Sequence, residues 1–341
     1  IAYIAMKIFW EMPSLKTVYI NRTKYFPKGQ EVSEMKIFNS INEIVNIEPT
    51  ALALGNFDGI HLGHKALIET TVNSARSQGI KPAVFTFANH PRNIIAGENI
   101  VKNIIYFDEK AKIIKDLGVD YLFNIPFDLE LMNMTPKEFV ENLLIKRFNM
   151  KSGYCGFNYR FGKNAAGTPE TLKEFGKNHN FSIDVLDPVI IDGQIVSSTL
   201  IRELITEGKV DMCLKYLGRL YAIDGEVVVG HRLGKTIGFP TSNLIIDEDM
   251  VSPANGVYIT ICIYNGVEYP SITNVGVKPT IGINKKNVET HIFGFENELY
   301  GKNIRVEFLI KTRDERKFES IDELASQITR DCIAAKAYFS K

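Results

Sequence analysis

The sequence reads Gly55-Asn56-Phe57-Asp58-Gly59-Ile60-His61-Leu62-Gly63-His64 between a short apolar run, Ala51–Leu54, and a helical pattern that reaches about Ser77. A strand, a glycine-rich turn and a helix in this order begin a βαβ unit, whose turn lies at the carboxyl edge of a parallel sheet. Glycines let the backbone approach a phosphate closely, and the helix N-terminus presents N–H groups and a positive dipole end. His61 and His64 can both face such an anion. The stretch therefore predicts a phosphate-binding turn.

Two other interpretations of these residues stay open at this point. A structural glycine turn followed by two surface histidines would have the same spacing. Histidines three residues apart are also compatible with zinc, but only Asp58 offers a further ligand at a suitable spacing. Metal-centred hydrolysis is therefore the less favoured interpretation.

Strands and helices alternate along the first half of the chain. Apolar patterns predict further elements at Pro82–Phe87 (strand), Asp108–Leu117 (helix) and Tyr121–Ile125 (strand). Thr135-Pro136-Lys137-Glu138 has the residues of a capping box with proline in the first turn, and Thr168-Pro169 is a second start of this kind. The alternation predicts a doubly wound α/β domain with a parallel sheet over residues 35–205.

The pattern changes after Gly218, where strands follow one another with few helices between them. The predicted strands are Ala222–Val229, Val257–Tyr264, Glu268–Val277, Val288–Phe295 and Ile304–Ile310. Asn265-Gly266 predicts a two-residue hairpin, and Ser320-Ile321-Asp322-Glu323 predicts a capping box that opens a last helix to about Phe339. We therefore predict a small antiparallel β-barrel domain with a C-terminal helix over residues 206–341.

The composition of the chain disfavours several classes of protein. The chain has 341 residues with 40 Lys+Arg and 40 Asp+Glu, so its formal charge is zero and it lacks the basic excess of a typical nucleic-acid binder. Its four cysteines are far apart, and no segment approaches the roughly 20 apolar residues that span a bilayer. We expect a two-domain cytoplasmic protein with neither nucleic acid nor membrane as partner. Residues 1–34 show no clear period and are predicted to be an N-terminal extension of unknown role.

Two further polar clusters are candidates for the anion site of the first domain. Asn158-Tyr159-Arg160-Phe161-Gly162 follows a strand, and Arg160 could meet a phosphate there. Ser198 or Thr199 can cap the next helix, and Arg202, one turn later, can reach the same anion. An ordinary cap with a solvated arginine is the alternative for this second cluster.

A glycine-rich loop, Gly230-His231-Arg232-Leu233-Gly234-Lys235-Thr236, lies in the second half. Its spacing is one residue short of a P-loop and strands flank it on both sides, so a P-loop is rejected. Gly230, Gly234 and Gly238 still make a phosphate-tolerant loop, to which Lys235 contributes a cation.

The loop runs into the segment Pro240-Thr241-Ser242-Asn243. Thr241 and Asn243 project from the same face of a strand and offer the hard oxygen donors that Mg²⁺ prefers. A proline-containing turn that enters an edge strand is the alternative.

Glu289 shares one face of its predicted strand with His291 and Phe293. A carboxylate inside a small barrel is costly unless it is paired or functional. If this face points outward, Glu289 is an ordinary surface residue, and the alternation alone does not decide between these cases.

Together these motifs resemble one family. The segments GNFDGIHLGH, Thr86–Pro91, NYRFG and SSTLIR are similar to the adenylyltransferase module of prokaryotic bifunctional riboflavin kinase/FMN adenylyltransferases, also called FAD synthetases. The segments LGRLYAIDGEVVVGHRLGKTIGFPTSNL, NVGVKPTIG, VETHIF and LYGKNIRVEFL resemble the riboflavin kinase module that follows in that family. The resemblance implies that riboflavin, FMN and ATP are the substrates.

The resemblance also implies roles for individual residues. In the first module, His61, His64 and Arg202 would stabilise the phosphates while FMN attacks ATP. The other residues implied at its ATP and flavin site are Gly55, Asn56, Phe57, Asp58, Gly63, Asn158, Arg160, Ser198 and Thr199. In the second module, Glu289 would be the general base on the riboflavin 5′-hydroxyl, and Thr241 and Asn243 would hold Mg²⁺ with ATP. The other residues implied there are Gly230, Gly234, Lys235, Gly238 and Arg313.

Two positions depart from the usual family pattern: Asn89 stands where proline is more common, and Ser242 replaces an alanine. Two alternative functions stay open. One is a nucleotidyltransferase with the same histidine signature that acts on another substrate, although the lack of a KMSKS-like segment disfavours an aminoacyl-tRNA synthetase. The other is a flavin-binding or regulatory protein that has lost one or both activities.

Overall fold

The computed structural model describes residues 34–230, Gly234, and residues 237–280 and 283–340. These residues divide into two compact units, one ending at Ser198 and the other beginning at Thr199. The predicted extension, apart from Glu34, and the predicted loop cation Lys235 lie outside the described residues.

The first unit alternates strands and helices, as predicted. Its strands are β1 (Lys36–Phe38), β2 (Thr50–Leu54), β3 (Lys81–Phe87), β4 (Tyr121–Ile125), β5 (Met150–Gly156), β6 (Ser182–Leu186), β7 (Ile190–Ile191) and β8 (Gln194–Ile195). Its helices are α1 (Leu62–Gln78), α2 (Pro91–Ala96), α3 (Phe107–Asp116), α4 (Leu129–Asn133), α5 (Pro136–Glu138, continued by the π-helix Phe139–Ile145) and α6 (Pro169–His179). Helix α7 (Ser198–Thr206) begins where the unit ends.

The main sheet of this unit has six parallel strands in the order β1-β4-β3-β2-β5-β6. From β2 the chain proceeds through β3 and β4 on one side, and then returns to place β5 and β6 on the other side. The strand order therefore reverses between β2 and β5. In doubly wound sheets, ligands bind at such a switch point, outside the carboxyl ends of the strands.

Local signals for helix ends are confirmed in this unit. Thr135 and Glu138 form the predicted reciprocal capping box. Helix α1 ends at Gly79, whose φ of +66° is the left-handed conformation that favours glycine. All five residues of β2 are buried, as a central strand with helices on both faces requires.

The second unit is mostly antiparallel β-structure. Its elements after α7 are α8 (Val210–Leu217), β9 (Tyr221–Glu226), β10 (Ser242–Ile245), β11 (Gly256–Tyr264), β12 (Val267–Thr280), β13 (Ile283–Ile292), β14 (Asn303–Arg313) and α9 (Ile321–Phe339). The strand order is β10-β13-β12-β11-β14-β9, and a bridge between Val228 and Asn243 nearly closes the sheet. The predicted barrel domain with a C-terminal helix is thus confirmed as a six-stranded near-barrel. Asn265 and Gly266 both have positive φ, as the predicted hairpin turn requires.

The two faces of the near-barrel differ. On β13, Val288 and Thr290 are fully buried, and the Thr290 hydroxyl lies 2.9 Å from that of Thr273 on β12. The opposite face packs against α8 and α9, through residues such as Leu214 and Ala335. Helix α9 begins with Ser320 accepting from the Glu323 N–H, but the Glu323 carboxylate accepts from the N–H of Glu319 rather than of Ser320. Only half of the predicted capping box is therefore formed.

Candidate active sites

The GNFDGIHLGH turn leaves β2 at the switch point with an unusual backbone. Phe57 has φ +49°, Gly59 +77° and Ile60 +35°, so two non-glycine residues lie in the left-handed region. Such conformations cost free energy and persist only where the surroundings enforce them. Phe57 and Ile60 are fully buried, and a Cβ on Gly59 would lie 3.0 Å from the Ile104 side chain. Packing therefore holds the turn in one shape.

The two histidines of this turn stack on each other. Their ring centroids lie 3.6 Å apart at an interplanar angle of 16°, and Phe57 packs against the ring of His64. His61 is the N-cap of α1, and its Nδ1 accepts a hydrogen bond from the His64 N–H at 3.2 Å. A Cβ on Gly63 would come within 3.2 Å of the His61 ring, so glycine allows the ring to lie against the first helical turn.

A buried lysine that the sequence did not reveal supports the start of the turn. Lys110 on α3 is 8% exposed, and its Nζ donates to the Asn56 carbonyl at 3.0 Å and to Thr86 Oγ1 at 2.7 Å. The Thr86 hydroxyl in turn donates to the Asn56 carbonyl at 2.8 Å. Burial lowers the pKa of Lys110 to about 8, while the charge of Asp58 acts in the opposite direction.

Asp58 and Ser198 have structural partners in this unit. The buried Asp58 carboxylate accepts from the Ile104 N–H, at 2.9 Å to Oδ1 and 3.2 Å to Oδ2. The Ser198 hydroxyl donates to the Asp58 carbonyl at 2.9 Å, which ties the start of α7 to the turn. Because α7 begins at Ser198, the residue in the N-cap position is Ser197, rather than Ser198 or Thr199 as predicted.

The remaining candidates of the first site lie on exposed or half-buried positions. Asn158 and Arg160 are exposed in the loop after β5, on the other side of the switch point from the histidine turn. The Arg160 guanidinium donates to the neighbouring Tyr159 carbonyl at 2.8 Å. Thr199 is exposed and Arg202 is half-buried in the first turns of α7.

The second candidate site is built from side chains on two paired strands. Asn243 on β10 lies directly opposite Glu289 on β13. Asn287 Nδ2 donates to Glu289 Oε1 at 3.0 Å and to Asn243 Oδ1 at 3.2 Å, so one amide joins both residues. Asn243 Nδ2 approaches Thr241 Oγ1 at 3.5 Å and the Thr241 carbonyl at 3.3 Å.

This cluster decides the question that the strand alternation left open. Asn287, Glu289 and His291 lie on the outer face of the near-barrel, opposite the buried Val288 and Thr290. Asn287 is nevertheless only 7% exposed and Glu289 is half-buried. Glu289 is therefore neither inside the barrel nor an ordinary surface residue. It belongs to a polar cluster on the outer face that is partly shielded from solvent.

Two described glycines of the glycine-rich loop, Gly230 and Gly234, lie next to residues of this cluster. A Cβ on Gly230 would lie 2.7 Å from the Asn243 amide, so only glycine lets the backbone come this close. Gly234 accepts from the Phe239 N–H at 2.7 Å, and Gly238 has φ +85°. Beyond the glycines, His291 Nδ1 lies 2.8 Å from the Pro240 carbonyl, next to Thr241.

Arg313, which was predicted at the second site, forms an ion pair with the C-terminal helix. It ends β14, and its Nη2 lies 2.7 Å from Oδ2 of Asp331 on α9, with Nε at 3.0 Å and 3.1 Å from the two carboxylate oxygens. This ion pair ties the last strand to the C-terminal helix, so the structure gives Arg313 a structural partner.

The candidate metal ligands are the oxygen donors of the second site, Thr241 and Asn243. Among the described residues, no three His, Cys, Asp or Glu side chains come close enough to hold a metal ion. The Thr241 hydroxyl and the Asn243 amide oxygen are neutral donors of the kind that Mg²⁺ accepts together with substrate phosphates. The donor set therefore fits a nucleotide-bound Mg²⁺ better than a protein-held zinc ion.

Comparisons with known proteins match both units. A family model described as FAD synthetase matches residues 44–200, and one described as riboflavin kinase matches residues 217–339. The bifunctional riboflavin kinase/FMN adenylyltransferase of Escherichia coli (strain K12) is 32% identical over 308 residues, covering 89% of this chain and 98% of that protein. The enzyme of that name from Bacillus subtilis (strain 168) is 32% identical over 295 residues, covering 85% and 93%. The chain belongs to the bifunctional riboflavin kinase/FMN adenylyltransferase family.

A solved structure shares the fold over most of the chain. The structure of a macrolide-efflux protein from Streptococcus pneumoniae matches with a TM-score of 0.80 and 31% identity, over 89% of this chain and 98% of that chain. In the described part of the chain, no helix has both the length and the apolar character needed to cross a membrane.

The chain is thus a riboflavin kinase and an FMN adenylyltransferase that uses ATP. The histidine turn lies in the adenylyltransferase module, and the cluster of Asn243, Asn287 and Glu289 lies in the kinase module. Asn89, which departs from the usual proline, donates to the Phe127 carbonyl at 3.1 Å and accepts from the Phe127 N–H at 2.7 Å. This pair of hydrogen bonds holds the segment after β3 to the segment after β4.

Proposed function

We propose that the GNFDGIHLGH turn holds the triphosphate of ATP for adenylyl transfer. The switch-point location, the N-terminus of α1 and the stacked histidines support this proposal. Because His61 Nδ1 accepts from the His64 N–H, a neutral His61 carries its hydrogen on Nε2, which makes that nitrogen the donor.

In adenylyl transfer, a phosphate oxygen of FMN attacks the α-phosphorus of ATP, and pyrophosphate leaves. This reaction needs positioning and charge neutralisation more than a nucleophile from the protein. We assign the neutralising role to His61, His64 and Arg202, while the turn backbone orients the triphosphate. Asn158, Arg160 and Thr199 are assigned to holding the flavin and phosphate oxygens.

For the kinase reaction, Glu289 takes the proton from the 5′-hydroxyl of riboflavin. The hydroxyl oxygen then attacks the γ-phosphorus of ATP, the bond from this phosphorus to the β–γ bridging oxygen breaks, and ADP leaves. General-base assistance of this kind contributes about 10²- to 10⁴-fold to a rate. The Asn287 amide donates to Oε1 of the Glu289 carboxylate and so orients this base.

Thr241 and Asn243 are the residues that would hold Mg²⁺ beside this base. When bound there with ATP, Mg²⁺ would neutralise charge on the transferring phosphate. Since Asn287 also donates to Asn243, one side chain sets the spacing between the metal-binding amide and the base. Gly230 contributes the close backbone approach over Asn243.

The observation that carries the kinase assignment is the hydrogen bonding of one buried amide to both Asn243 and Glu289. To test both assignments, Glu289→Gln and His61→Ala are incubated with ATP, Mg²⁺ and either riboflavin or FMN, and the flavins are separated. We expect Glu289→Gln to lose FMN formation by about 10²- to 10⁴-fold while converting added FMN to FAD. His61→Ala should show the reverse.

Two control variants isolate these effects within the same modules. Glu248→Gln changes an exposed carboxylate that follows β10 in the kinase module. His179→Ala changes the last residue of α6, whose Nε2 lies 3.4 Å from Oε1 of Glu141. Both controls should retain both activities. If a folded Glu289→Gln formed FMN at the wild-type rate, the general-base assignment would be wrong.

A further inference from the structure

Lys110 is a buried cation whose hydrogen-bond acceptors are neutral. Its ammonium group donates to a carbonyl and a hydroxyl, and the hydroxyl donates to that same carbonyl, so two donors converge on the carbonyl of Asn56. Thr86 is fully buried and Lys110 is 8% exposed, so solvent has little access to this cluster.

A lysine is an expensive choice for such a position. Burial of an ammonium group without a hydrogen-bonded carboxylate costs several kcal/mol as a general rule. An apolar side chain of similar length would fill the space on α3 without that cost. The charge therefore has a use other than packing.

The Asn56 carbonyl is the point at which the chain leaves β2 and enters the strained turn. Phe57 and Ile60, just beyond it, lie in the left-handed region and need external contacts to stay there. Two donors on one carbonyl fix the start of the turn, and the packing of Gly59 against Ile104 fixes its middle.

We propose that Lys110 is a positioning residue for adenylyl transfer, which fixes the Asn56 carbonyl and adds a positive charge to the turn that presents His61 and His64. This inference rests on the proposed role of that turn as the ATP site. Lys110 acts through the turn backbone and need not touch the reacting phosphorus.

The test compares Lys110→Met, which keeps length and packing, with Lys112→Met on the exposed side of the same helix. We expect the kcat of FMN adenylylation to fall about 10- to 100-fold in Lys110→Met, because small misplacements of reacting groups have effects of this size. The KM for ATP should change less than kcat. Riboflavin kinase activity, measured on the same samples, should stay within about twofold. Lys110→Arg, which keeps the charge and the donors, should recover part of the lost kcat.

Two outcomes would overturn the proposal. One is a folded Lys110→Met with an unchanged kcat. The other is a loss of kcat that disappears after correction for the folded fraction, measured by circular dichroism at the assay temperature, since this would show a purely structural role.

A second pair of variants decides the matter if Lys110→Met does not fold. Thr86→Val removes the shared hydroxyl and Thr86→Ser keeps it. The proposal requires a clear loss of adenylylation in the first and near wild-type activity in the second, and equal activities would overturn it. If His61→Ala retains adenylylation, the proposed function fails. If His61→Ala loses adenylylation while Lys110→Met does not, only the present inference fails.

Discussion

The two candidate sites of this chain are built in different ways. The candidate adenylyltransferase site contains a turn with Phe57, Gly59 and Ile60 at positive φ, held by buried contacts to its backbone. The candidate kinase site consists of side chains in regular register across two strands, where Asn243 faces Glu289 and Asn287 joins them. The first site is therefore sensitive to changes of backbone conformation, and the second to the loss of single polar side chains.

The largest effect is expected from a methyl group in the turn. Gly59→Ala places a Cβ 3.0 Å from Ile104 at φ +77°, so the turn must shift and FMN adenylylation should fall about 100-fold. Gly193→Ala is the matched control, because Gly193 has φ +75° with no atom within 4 Å of a Cβ. Both variants have a backbone cost of about 1–2 kcal/mol. Equal adenylylation rates in the two variants would show that the shape of the turn is unimportant.

The buried cation of the first site predicts a dependence of stability on pH. Because the pKa of Lys110 falls from 10.5 to about 8 on folding, the unfolded chain holds more protons between these values. The free energy of unfolding should therefore rise with pH across this window, by on the order of 3 kcal/mol, and this rise should be absent in Lys110→Met. Calorimetric melting of both proteins between about pH 8 and pH 10.5 measures the difference. Parallel curves for the two proteins would contradict a lowered pKa.

A smaller effect is expected from the amide of the second site. Asn287→Ala removes the donor shared by Glu289 and Asn243, and the loss of a hydrogen bond to a charged group should lower the kcat of riboflavin phosphorylation about 10-fold. Adenylylation should not change. Asn303→Ala, at an exposed position at the start of β14, is the control. An unchanged kcat in a folded Asn287→Ala would mean that phosphorylation does not depend on the spacing that Asn287 sets between Glu289 and Asn243.

The sequence predicted most of the fold because its local signals agree with the tertiary structure. The strand, glycine turn and helix around residues 55–64, the capping box at Thr135 and the Asn265-Gly266 hairpin each stand as expected. These features depend on residues close in sequence. The position of Glu289 could not be predicted, because it depends on which face of β13 points into the near-barrel and on its contact with Asn287, and the alternation alone gives neither.

Two residues at the candidate sites, Lys110 and Asn287, were not predicted from the sequence, for identifiable reasons. Lys110 was missed because a charged side chain gives no apolar signal, although it lies three and four residues before the buried Ile113 and Ile114, on the same face of α3. Asn287 lies just before the predicted start of its strand, whereas β13 begins at Ile283 and carries the alternation through it. Both residues act through contacts more than 40 residues away in sequence, to Asn56 and Asn243 respectively.

The central claim is that one chain carries two separable sites, each in its own module. The most direct measurement mixes Glu289→Gln and His61→Ala, adds riboflavin, ATP and Mg²⁺, and follows FAD. Each variant alone should form almost no FAD from riboflavin, while the mixture should form it, because FMN released by His61→Ala is a substrate for Glu289→Gln. A mixture of folded variants that forms no more FAD than either protein alone would contradict the claim.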